Sequence, residues 1–177
     1  MTTTASGWDA LQKRLDSVPK PVRTLKLCEE PEVRDRYLSA KHAFEQAERH
    51  LKALPKDVAE DARALVEQQH KDAKAELAAA QKAYDTATIT LRFAALERSA
   101  LEALQAKHPA TEEDEARGTD FHYETFAPEV IAAASLDGMP LEYAIQAMQT
   151  WSLSDSDDLW NAAWSVQRRK RTDLGKG

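Results

Sequence analysis

The stretch PEVRDRYLSAKHAFEQAERHLKAL, residues 31–54, decides the fold. Its apolar positions Val33, Tyr37, Ala40, Phe44, Ala47, Leu51 and Leu54 follow one another at alternating steps of four and three. That spacing lays a single seam along a helix and turns it toward a partner helix. Between them lie the charged residues Glu32, Arg34, Asp35, Arg36, Lys41, Glu45, Glu48, Arg49 and Lys52. Glu45 with Arg49 and Glu48 with Lys52 stand at i,i+4 with the acid first, the favourable order. Pro31 suits the first helical turn, where a missing N–H costs nothing.

Pro55 ends this helix, and Asp57 with Glu60 reads as an N-cap and its capping-box partner. The second seam reads Val58, Ala62, Leu65, Gln69, Ala73, Leu77, Ala80, Tyr84 and Ala87. Its successive four-residue steps around Gln69 and Ala73 predict a local unwinding of the pair. Two periodic arms joined by a short Pro-containing turn are antiparallel neighbours. The spacing therefore predicts a long antiparallel helical hairpin over residues 31–87.

Short alternating runs rich in β-branched residues flank the arms, Val22 to Cys28 and Thr88 to Phe93. They read as half-buried strands, and a lone pair of strands needs helices over it. The fold class is mainly α, with the hairpin inserted between two short β-strands and a small C-terminal helical bundle after it. Residues 1–30 supply an N-terminal helix and strand of the base, residues 88–170 a strand and the bundle, and residues 171–177 a flexible tail. In the bundle, helices are expected over Ala94–Lys107, Phe126–Ser135 and Leu141–Trp151, with a last one opened by a Ser154–Asp157 capping box. Asp137-Gly138 with Pro140 is a helix stop.

Composition narrows the function. Hydrophobic residues at 42% exclude a disordered chain, and five glycines among 177 residues are too few for a turn-rich β protein. The net charge of −6 argues against nucleic acid as the general partner. One cysteine, Cys28, permits no internal disulfide and fits a reducing compartment; its strand position predicts a buried small hydrophobe. No signal-peptide pattern or membrane-spanning run is present, so the expected location is the cytoplasm of the cell that makes the chain.

No catalytic, cofactor-binding or metal-binding residues stand out. His42, His50, His70, His108 and His122 form no pair at metal-ligand spacing, and those on the arms read as exposed polar residues. The acidic runs Glu112–Glu115 and Asp155–Asp158 lack the glycine and ligand spacing of a calcium loop; a solvated loop and an acidic helix start account for them. The basic run Arg168 to Arg171 complements a helix C-terminus, a reading preferred over nucleic-acid contact. Trp160 and Trp164, one turn apart, leave two readings open: one tryptophan completes the core, or the other belongs to a protein contact surface. The residues expected to touch a partner are Ile145, Met148, Trp151, Leu159, Trp160 and Trp164.

Several strings resemble the tail assembly chaperones of long-tailed phages that infect actinobacteria. They are Pro21 to Val33, the second strand running through Leu96 to His108-Pro109, Phe121 to Ser135, and the Ser-Asp-rich helix start Ser152 to Asp158. The resemblance covers most of the chain outside the hairpin. It implies a non-catalytic protein without cofactor that binds the tape measure protein, assists tail tube polymerisation, and works in the cytoplasm of the bacterial host. It also draws attention to Gly175-Lys176, a pair that marks programmed frameshift sites in such genes. Two other classes compete. One is a structural coiled-coil adaptor of the virion that forms a homo-oligomer through the hairpin seam; the other is a small DNA-binding regulator using the last two helices.

Overall fold

The computed structural model describes residues 7–55 and 57–169. The expected frameshift pair Gly175-Lys176, the tail 171–177, and Lys170 and Arg171 of the basic run lie outside the described residues. The chain is mainly helical, with eight α-helices among the described residues and a two-stranded antiparallel sheet. It divides into two compact units, one of residues 26–90 and one of residues 1–25 with 91–177.

Unit 26–90 is the hairpin. Helix α2, Pro31–Lys52, packs along α3, Glu60–Thr86. At 1.5 Å per residue the arms are about 33 and 40 Å long. Every expected seam position of α2 is at least half-buried, and Ala40 is fully so. Tyr37 stacks on Tyr84 with ring centroids 4.6 Å apart, and Arg36 Nε donates to Glu76 Oε1 across the arms at 2.9 Å. The Glu48–Lys52 pair forms at 3.2 Å, whereas Arg49 turns to the Glu45 carbonyl instead of its carboxylate.

The α3 seam differs from the expected one in its first half. Arg63, Val66, His70, Ala73, Leu77, Ala80, Tyr84 and Ala87 face inward, and Leu65 is 60% exposed. These steps alternate three and four without interruption, so there is no slip and no local unwinding. His70 is therefore not an exposed arm histidine: its ring packs on Phe44, centroids 5.2 Å apart. Nor does Asp57 cap α3, whose N-cap is Ala59 with no side-chain bond.

Strand β1, Val22–Cys28, pairs antiparallel with β2, Thr88–Ala94. Backbone bonds from Ala95 N to the Pro21 carbonyl and from Glu29 N to the Ala87 carbonyl frame the ladder. Cys28 is half-buried, not buried, with Sγ 3.3 Å from the Glu30 carbonyl.

The other unit has its core around α6, Tyr123–Ala134, which is apolar on nearly every side. Phe126, Val130, Ile131 and Ala134 of α6 join Phe93 of β2, Ala144 and Ala147 of α7 (Leu141–Thr150), and Leu159, Ala162 and Ala163 of α8 (Leu153–Ser165). Each large side chain buried this way contributes about 1.5–3 kcal/mol. The alanines let α7 and α8 approach α6 closely. Met139 N bonds to Ser135 Oγ where the chain turns after α6, and Gly138 takes a positive φ of 74° there. Ser135 bridges to Phe93, and Arg92 holds Asp137 through its guanidinium and its backbone N–H.

One cap and one loop of this unit differ from expectation. Ser152, not Ser154, caps α8, its Oγ accepting from Asp155 N. Residues Glu112–Ala116 form a short helix, α5, and not a solvated loop. Helix α4, Arg98–Lys107, precedes it. Helix α1, Gly7–Asp16, buries none of its residues.

Candidate functional site: the groove between α6 and α7

Helix α7 is amphipathic in an inverted sense. Its small residues Ala144 and Ala147 face the core, while Leu141 and Ile145 stand exposed. Across from them runs the outer side of α6. The space between is a depression of about 470 Å³ lined by His108, Glu124, Thr125, Pro128, Glu129, Leu141, Ile145 and Gln149. A second depression of about 420 Å³, lined by Tyr123, Glu124, Met148 and Gln149, shares two of these residues and extends the groove. Leu141, Ile145 and Met148 follow at steps of four and three, so the α7 wall offers an apolar ridge roughly 10 Å long.

The polar part of the lining is anionic. Pro128 has no N–H, so the Glu124 carbonyl loses its usual intrahelical donor. Glu124 and Glu129 add carboxylates, and Lys107 Nζ reaches Glu129 at 3.8 Å. His108 is mostly buried at the end of α4. Its Nδ1 is 2.9 Å from Thr125 Oγ1, and its Nε2 is 3.4 Å from Glu129 Oε1, off the line a hydrogen bond requires.

Beneath the Tyr123 end lies a floor of aromatic rings. Trp160 and Trp164 stack at 5.1 Å and 11°. Phe121 and Phe126 meet at 4.3 Å, and Trp164 stands edge-on to both. Tyr123 meets Trp160 edge-on at 5.4 Å, and burial together with the charge of Asp157 pushes its hydroxyl above the ordinary tyrosine range.

The residues expected to touch a partner separate into three groups. Ile145 and Met148 line the groove. Trp151, Trp160 and Trp164 are half-buried and packed against the core. Leu159 is wholly buried among core side chains, so it is no part of a contact surface. Sequence reasoning missed Leu141, Tyr123, Glu124, Pro128, Glu129, His108 and Gln149 as groove residues. The apolar stripe Leu141-Ile145-Met148 was the available signal on α7; on α6 it was the polar set Glu124, Thr125 and Glu129, two of which precede the helix start expected at Phe126.

The acidic run near Thr111 holds one buried group. Asp114 Oδ2 accepts from Thr111 Oγ1 at 2.7 Å, Thr111 N at 3.0 Å and His122 Nδ1 at 2.9 Å. The Thr111 hydroxyl, then its N–H, then His122 hold the carboxyl down at about 2. This is a capping box clamped to the chain before α6, and the described residues contain no cluster able to hold a metal ion. No helix among them is long and apolar enough to cross a membrane. Of the basic run, Arg169 is directed to the Val22 carbonyl at 3.4 Å.

Compared with protein-family models, with curated proteins and with solved structures, the chain matches none.

Proposed function

We propose that this chain is a non-catalytic helix-binding protein, acting as a phage tail assembly chaperone in the host cytoplasm. The observation that supports it is the α6–α7 groove, with a ridge of large aliphatic side chains on the solvent side and small ones inward. An exposed ridge beside a carboxylate-lined trough suits one apolar stripe of a helix flanked by Lys or Arg. A long helical client that aggregates alone needs such a surface, and the resemblance described above supplies the tape measure protein as that client. Tail tube subunits are then its second partner.

The hairpin seam is filled by its own two arms, through Tyr37 on Tyr84 and Phe44 on His70. A coiled-coil adaptor built on that seam has little left to pair with.

The test is co-expression with the tape measure protein. Leu141→Asp and Ile145→Asp alter exposed side chains, so far-ultraviolet circular dichroism should be unchanged while co-purification falls at least about tenfold, a loss of 1.4 kcal/mol or more. Undiminished co-purification would move the contact off the groove. Detection of the chain in purified virions by mass spectrometry would favour the adaptor.

A further inference from the structure

Helix α1 is amphipathic, and none of its residues is buried among the described residues. Trp8, Leu11 and Leu15 follow at steps of three and four, and they are 61%, 44% and 53% exposed. A stripe of this size is rarely left open in a soluble protein. The connection to β1 holds it there: Pro19 and Pro21 restrict the chain, and Lys20 is tied to Glu97 at 2.6 Å.

The α6–α7 groove is the complementary surface. The α1 stripe spans eight residues, as does the ridge Leu141-Ile145-Met148, so both run roughly 10 Å from end to end. Arg14 stands at i+3 from Leu11, beside the stripe, and the groove presents the carboxylates of Glu124 and Glu129. With Asp9 and Asp16 balancing Lys13 and Arg14, α1 has no net charge to draw it to an anionic membrane.

We propose that α1 of one copy docks in the α6–α7 groove of a second copy, so that the chain forms an exchanged homodimer. Each copy supplies one helix and one groove, so a two-fold arrangement closes and doubles the contact. The dimer occupies the same trough that the proposed client needs. It does not depend on the client's identity, because it is read on the purified chain alone.

Sedimentation equilibrium of the full chain tests this. A concentration-dependent dimer is expected at or below about 100 μM, a weak but specific range. Leu11→Asp lies on an exposed helix, and Glu129→Arg lies in the groove. Each should raise the dissociation constant at least about tenfold. Arg14→Glu should weaken the dimer, and Arg14→Glu combined with Glu129→Arg should recover most of the loss. A monomer throughout overturns the proposal, as does a dimer untouched by Leu11→Asp. A dimer sensitive to Leu11→Asp and indifferent to Glu129→Arg and Ile145→Asp overturns it too, placing α1 elsewhere. Binding of α1 to vesicles with no dimer would assign the stripe to a membrane instead.

Discussion

Trp164→Ala removes half of a stacked indole pair and the edge partner of Phe121 and Phe126, at 5.4 and 5.8 Å. A tryptophan buries on the order of 150–250 Å². At about 25 cal/mol per Å² that is roughly 4–6 kcal/mol. Compact unfolded chains already cover part of this area, and Trp164 keeps some exposure, which brings the figure to roughly 2.5–4 kcal/mol. The assay is urea unfolding followed by tryptophan fluorescence. All four tryptophans, Trp8, Trp151, Trp160 and Trp164, belong to the unit of residues 1–25 and 91–177, so the signal reports on that unit alone. Leu153→Ala, at a residue 80% exposed, is the control and should stay within about 0.5 kcal/mol. A Trp164→Ala loss below about 1 kcal/mol would falsify the reading of these rings as a packed floor. It would return them to the surface, and with them the choice of Trp160 and Trp164 as partner contacts. Trp160→Ala should cost less when Trp164 is already Ala, because the stacked pair is shared.

Leu65→Glu should change the thermal stability of the chain by less than about 0.5 kcal/mol, while Val66→Glu costs roughly 1–2 kcal/mol; the opposite order would put Leu65 back in the seam. Gln167→Ala strips the acceptor from Leu96 N and the donor to the Ala163 carbonyl, both 2.8–2.9 Å bonds, and should cost about 1–3 kcal/mol by urea unfolding. Asp114 has its folded pKa lowered to about 2, below the unfolded value, so its contribution is fully present above about pH 4 and is lost as pH falls toward 2. Melting temperatures taken across that window should fall more steeply for the native chain than for Asp114→Asn, and parallel curves would remove Asp114 from the acid response.

The hairpin was legible because its periodicity repeats over two arms and is bounded by Pro31 and Pro55. Its register on α3 was harder to read, and the reason is physical. Leu65 outranks His70 as an apolar residue, but seam position is fixed by the partner helix, whose steps alternate without interruption. Carrying the same alternation back from Ala73 lands on His70, Val66 and Arg63. His70 packs against Phe44 with its ring tilted by 36°, and Arg63 keeps its long stem at the seam while its head reaches the Pro55 carbonyl at 3.3 Å. The strands were legible from alternation. The caps at Asp57 and Ser154 were misplaced because acidic residues near a helix start are frequent, and only geometry tells which oxygen meets an orphan N–H. Ala59 and Ser152 take those places.

The groove was half legible, and the unread half follows from the geometry of α7. Leu141, Ile145 and Met148 are visible as a helical stripe, and large aliphatic residues on a stripe read as core. On α7 the assignment inverts, because Ala144 and Ala147 are the residues that fit beneath α6. A helix placed so close has room inward for methyl groups and not for leucine. Turning α7 to bury Leu141 and Ile145 would force their bulk into space already filled by Val130 and Ile131 of the same core. The exposed ridge is thus fixed by the packing on the other side of the helix. That persistence makes it a surface on which a docking helix, whether from a client or from a second copy, finds its partner already formed.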